Sequence, residues 1–178
     1  MKRLFLIPGI ALFLCGTAEA RLGWTMQQCE AKYGPATILV PTGRQFKDSN
    51  VEATFNYEGW RIRMAWFPGT DKAQYILYTA NSSKMTKEQL NAILASNADG
   101  QKWEPHFDGG SKVGTAISSA MTGEDMRHGY FQRDDGARTD TIMLWAVNNV
   151  AIKSSWLCAW EKSKAEAEAA KKARVPNL

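Results

Sequence analysis

Residues 51–67, VEATFNYEGWRIRMAWF, constrain the fold more than any other stretch. Val51, Ala53, Phe55 and Tyr57 alternate with Glu52, Thr54 and Asn56. After Glu58-Gly59 the alternation resumes, with Trp60, Ile62, Met64 and Trp66 set against Arg61, Arg63, Ala65 and Phe67. A period of two marks a half-buried strand, and two such runs around a two-residue linker read as an antiparallel hairpin. Pairing across the turn sets Tyr57 opposite Trp60, Phe55 opposite Ile62 and Ala53 opposite Met64, all on one face. A slip of one residue would turn that whole set to solvent, so something apolar has to cover it. Arg61 and Arg63 fall on the opposite, wet face beside Thr54 and Asn56 and are candidate binding residues.

The cover is written as short helices. Thr25 and Gln28 form a capping box, Met26, Cys29 and Tyr33 follow on one helical face, and Gly34-Pro35 end the run. A helix of about two turns is unstable alone in water and needs a surface to pack on. The device recurs at Thr86 and Gln89, with Leu90, Ile93 and Leu94 as the stripe and Asn97-Ala98-Asp99-Gly100 as the stop. Between the helices, Pro68-Gly69-Thr70-Asp71 is a turn, and residues 73–80, AQYILYTA, predict a third strand that is central or covered on both faces.

Further along, the sequence predicts weaker strands near 113–119 and 126–133 and a turn at Asp134-Asp135-Gly136. It then predicts a hairpin of 138–147 and 150–157 around Asn148-Asn149, with Val147 facing Val150 and Trp145 facing Ile152. The last residues are rich in Ala, Glu and Lys, with Glu168 four positions before Lys172, and predict a solvated helix. The expected fold is α+β: two helix-plus-antiparallel-meander units, short capped helices packed on a sheet, and a polar C-terminal helix. The expected division is 1–20 as a signal peptide, 21–83 and 84–158 as the two units, and 159–178 as the polar tail.

The opening GWTMQQCEAKYGP, followed by strand, tight turn, strand and strand, resembles the SmpA/OmlA-type small envelope lipoproteins and the related modules of β-lactamase-inhibitor proteins. Gly23, Thr25, Gln28, Gly34 and Pro35 match that pattern, and Cys29 stands where it has an apolar residue. The resemblance covers residues 22 to 80, with a fainter echo after 84. It implies an α+β module that binds other proteins and catalyses nothing. The chain departs from the pattern in two places: the second helix lacks the Gly-Pro ending, and no acceptable lipidation cysteine opens the chain after residue 20.

Residues 1–20 carry their own signal. Lys2 and Arg3 precede an apolar run from Leu4 to Cys15, and Ala18-Glu19-Ala20 supplies small residues for cleavage after Ala20. The run is shorter than the ~20 apolar residues of a membrane span. The expected location is therefore periplasmic or extracellular, with no transmembrane span after cleavage. Of the 22 basic and 18 acidic residues in the chain, removing Lys2, Arg3 and Glu19 leaves 20 and 17. So small an excess, with no basic stripe interleaved with aromatics, argues against nucleic acid. Cys29 and Cys158 remain. In an oxidising compartment they form a disulfide, or they are two separate thiols in apolar surroundings; both readings fit the sequence.

Catalytic patterns are sparse. His106 and His128 lie 22 residues apart, near Asp108 and Asp125, without metal-site spacing. No G-x-S-x-G elbow occurs, Asp134-Asp135 belongs to a turn, and DGGSKVGT lacks phosphate-loop spacing. No catalytic residue, metal or cofactor is expected. The seven tryptophans are the compositional oddity. Trp60 and Trp66 fit the core face, whereas Trp103, in GQKWEPHF, is the one expected to be exposed. The expectation is a non-enzymatic binding or structural protein of the envelope that recognises another protein, with Trp103, His106, Arg61 and Arg63 as binding candidates. The alternative is a small secreted hydrolase or carbohydrate-binding module using a 103–114 loop and its histidine.

Overall fold

The computed structural model describes residues 21–39, 46, 48–81, 85–107, 128–139, 142–143 and 148–173. They form a mixed α+β fold around one antiparallel sheet. The chain runs α1 (Met26–Tyr33), β1 (Thr37–Leu39), β2 (Val51–Tyr57), β3 (Trp60–Trp66), β4 (Ala73–Ala80) and α2 (Lys87–Ser96). It continues through β5 (Trp103–Phe107), β6 (His128–Arg133), β7 (Arg138–Thr139), β8 (Ile142–Met143), β9 (Asn149–Lys153) and α3 (Ser155–Ala173). The strand order is β1-β2-β3-β4-β9-β7-β6-β5, with β8 also paired to β6.

The first hairpin has the register its alternation demands. Tyr57 pairs with Trp60, Phe55 with Ile62 and Ala53 with Met64. The turn is closed by Glu58 and Gly59, both at positive φ. β4 lies between β3 and β9 and is covered on both faces, as its two-sided apolar content implies. On the inner face Ile62, Met64, Ile76, Tyr78, Val150 and Ile152 meet Cys29 and Tyr33 of α1 and Leu90, Ile93 and Leu94 of α2. On the outer face Ala65, Tyr75 and Ala151 receive Leu157 of α3.

Both short helices carry complete capping boxes. Thr25 Oγ1 accepts from Gln28 N at 3.3 Å while Gln28 Oε1 accepts from Thr25 N at 2.9 Å, and Thr86 and Gln89 repeat the exchange. The far end of α2 is tied down by side chains from elsewhere. Asn97, 2 % exposed, donates to Tyr78 Oη and to Ile93 O, and its Oδ1 accepts from Leu22 N. Such a buried amide is stable only because its hydrogen-bonding groups are met.

Three expectations need correction. Ile152 faces Thr139, not Trp145, and Arg138 faces Lys153. The cause is β4: Asn149 aligns with Thr79, and Ala80 N donates to Asn148 O, so β9 is held as a central strand rather than as the return arm of a tight hairpin. The strand ends at Lys153, and the last helix starts at Ser155 rather than near 159. Ser154 Oγ accepts from Leu157 N at 3.0 Å, which is an N-cap bond. Finally, 103–107 is not loop but strand β5, at the edge of the sheet among the described residues, where Pro105 is tolerated because one side of the strand is unpaired there. Val147, Trp145, the strand near 113–119, Asp108 and Asp125 lie outside the described residues. No helix among the described residues is long and apolar enough to cross a membrane.

Candidate functional site

The inner face of the sheet is sealed by two helices, so ligand-sized space opens on the outer face, beside α3. That helix is seated by Leu157, 1 % exposed, on the outer core. Lys153 Nζ donates to both carboxylate oxygens of Glu161 at 3.1 Å, and Lys164 Nζ donates to Asp48 Oδ2 at 2.7 Å. Between helix and sheet runs a groove of about 410 Å³, floored by Phe46, Phe67, Tyr75 and Trp160 and edged by those ion pairs. At its end Trp156 is the exposed large apolar side chain among the described residues, at 39 %. Its ring stacks on Trp160 with centroids 6.0 Å apart and planes 13° apart, and both rings lean on Phe67. Lys164 covers the Trp160 ring at 4.6 Å.

A second concavity, of about 370 Å³, lies on the same face and is lined by Arg61, Arg63, Leu77, Thr79, Asn148 and Asn149. Arg61 is exposed and Arg63 half-buried. They stand beside Asn56 and Thr54, their cross-strand partners, as the alternation of the hairpin requires.

Trp103 and His106 do not join this surface as a unit. Trp103 is half-buried on the inner side; its Nε1 donates to Leu94 O at 2.7 Å. The Arg133 guanidinium lies over its ring at 5.6 Å and donates to Asn97 O at 2.7 Å. These two side chains satisfy the carbonyls at the end of α2, where a cation is also favoured by the helix dipole. Arg133 also holds the Asp135 carboxyl below the usual carboxylate range by donating to it. His106 is exposed on β5 and stacks on Tyr130, its cross-strand partner, with centroids 5.3 Å apart and planes 9° apart. Arg138 lies over the same Tyr130 ring at 5.8 Å.

Of the two readings of Cys29 and Cys158, the bridge between them is the one that fails: the two sulfurs are not joined to each other. Cys29 packs under the inner face, its Sγ donating to Met64 Sδ at 3.5 Å, while Cys158 belongs to α3 on the outer face. The sheet lies between them. Burial pushes the Cys29 thiol up from 9.0 to about 12, which leaves it protonated and unreactive. Among the described residues no three His, Cys, Asp or Glu side chains gather as a metal site.

The sequence reading missed Trp156 and Trp160 as a pair because it placed residues 150–157 in a strand. The signal was present: Ser154 is an N-cap type, and Trp156 and Trp160 are spaced i, i+4, which brings side chains together on a helix. Comparison with protein families, with characterised proteins and with solved structures finds no match for this chain.

Proposed function

We propose that this chain is an exported, non-catalytic binding component of the cell envelope that recognises another protein through the outer face of its sheet. The observation that carries the reading is Trp156, exposed and stacked on Trp160 beside an aromatic groove. Tryptophan is enriched at protein interfaces, and a rigid aromatic rim bordered by charged groups matches the chemistry of a protein-binding hot spot. The leader pattern of residues 1–20 supports export. The resemblance of residues 22 to 80 to SmpA/OmlA-type and inhibitor-type modules belongs to the same proposal. So does a two-unit reading of the fold: α1 with β1 to β4, and α2 with β5 to β9, each ending on a strand at the middle of the sheet.

The test is site-specific photo-crosslinking in the exporting cell. A benzophenone amino acid at position 156 gives one discrete adduct, the same probe at Lys87, exposed on α2 over the opposite face of the sheet, gives none, and Trp160→Ala abolishes the adduct. The protein sits in the envelope fraction with Arg21 as its first residue. Equal adducts from both probe positions, or retention in the cytoplasm with Met1 intact, overturns the proposal.

A further inference from the structure

The groove beside α3 has an apolar floor and an unbalanced edge. The floor is Phe46, Phe67, Tyr75 and Trp160, with Phe67 and Tyr75 buried. The edge carries three carboxylates, Asp48, Glu161 and Glu168, against two ammoniums, Lys153 and Lys164. Glu161 holds Lys153 and Asp48 holds Lys164. Those two pairs leave Glu168, exposed one turn beyond Lys164, as the surplus charge of the groove. The next cations along the helix, Lys171 and Lys172, are not among its lining residues. A floor of rings takes up an apolar side chain, and a carboxylate at the edge selects what stands beside it. The volume of about 410 Å³ is that of a small-ligand pocket, so a ring can enter while its backbone continues outside. A flat surface does not reach a buried floor; a protruding side chain does.

We propose that the groove receives an aromatic side chain of the partner protein, with a lysine or arginine next to it in the partner's sequence facing Glu168. The inference rests on the reading of the outer face as the partner-binding face. It gives that partner a two-residue signature: a ring for the floor and a cation for the edge. An exposed ion pair contributes little affinity, so the ring supplies most of the binding and the charge supplies the choice.

The test titrates capped dipeptides into the exported chain (residues 21–178) and follows the Trp160 indole Nε1–H signal by ¹⁵N NMR. Phenylalanyl-lysine is expected to shift it saturably at millimolar concentration, and alanyl-lysine to leave it in place. Phenylalanyl-glutamate should bind about threefold more weakly at low salt and equally well at high salt, as screening of an exposed pair requires. Glu168→Gln should erase the preference between the two phenylalanyl peptides. Ala165→Phe, which sets a ring of the chain's own in the groove, should abolish the binding of both. Both positions are exposed, so both variants should fold, which amide signals unchanged away from the groove verify. The inference is overturned by no saturable shift with phenylalanyl-lysine, an equal shift with alanyl-lysine, or a low-salt glutamate peptide that binds as tightly. It is also overturned by a preference that survives Glu168→Gln, binding that survives Ala165→Phe, or a Trp160 signal that moves with protein concentration alone, the mark of a second copy in the groove. A chain that crosslinks through position 156 but fails these titrations loses this inference alone. One that passes them without a crosslink loses the envelope-partner reading and keeps the ring-and-cation specificity of its groove.

Discussion

Cys29 and Cys158 differ sharply in surroundings, and their chemistry should differ in step. A thiol-specific reagent at pH 8 is expected to modify Cys158 within minutes and Cys29 only once the chain is unfolded. Two equally fast thiols would mean that α1 does not pack as described. The raised Cys29 pKa also has a sign. The unfolded thiol ionises near 9.0 and the native one near 12, so its contribution to stability is complete below pH 9 and is lost as the pH climbs towards 12. Urea midpoints between pH 8 and 11 should therefore fall more steeply for the natural chain than for Cys29→Ala. Arg133, 7 % exposed, is a second residue with a measurable role. Arg133→Met should cost about 2–3 kcal/mol, because it removes charge-assisted bonds and strands the Asn97 carbonyl. At this scale the sequence revealed residue types but not roles. Trp103 was recognisable as an unusual aromatic in a polar stretch. That its indole N–H closes the end of α2 depends on the short return of the chain past Leu94, and on Arg133, which strand pairing sets opposite it.

Elements whose signals are local were readable. The capping boxes of α1 and α2 are made within four residues, and the Glu58-Gly59 turn fixes the register of the strands beside it. Thr86→Ala should cost about 1 kcal/mol of stability in urea unfolding, the usual loss for an N-cap. Gly34 ends α1 at φ 82° and ψ −175°, a region open almost only to glycine. Gly34→Ala should therefore cost about 1–3 kcal/mol, and an unchanged thermal midpoint would refute that geometry. The start of α3 was misread because Val150 to Leu157 is apolar enough to pass for one long strand. What divides it is Ser154, whose hydroxyl caps the helix, and that polar signal was outweighed by its apolar neighbours.

The whole molecule is joined at the pairing of β4 with β9, between residues 70 to 78 apart in sequence. No local pattern encodes such a partnership, which explains why the hairpin of β2 and β3 was foreseen and the continuity of the sheet through β9 was not. The Arg61–Arg63 pair was visible in the hairpin; its concavity was not, since Asn149 reaches it only through that central pairing. Residues 21–83 expressed alone should fail to fold cooperatively, because β4 would become a bare edge and Ile76 and Tyr78 would lose α2 and β9. A sharp, reversible melt of that fragment would show instead that the first half is autonomous. Strand β9, clamped between β4 and β7, passes into α3 through Ser154 alone. A partner that tugs on the C-terminal helix therefore transmits its load to the interior of the sheet, not to a fraying border. Single-molecule pulling from that end should meet one tall rupture peak where a chain ending on an outer strand would peel apart in small steps.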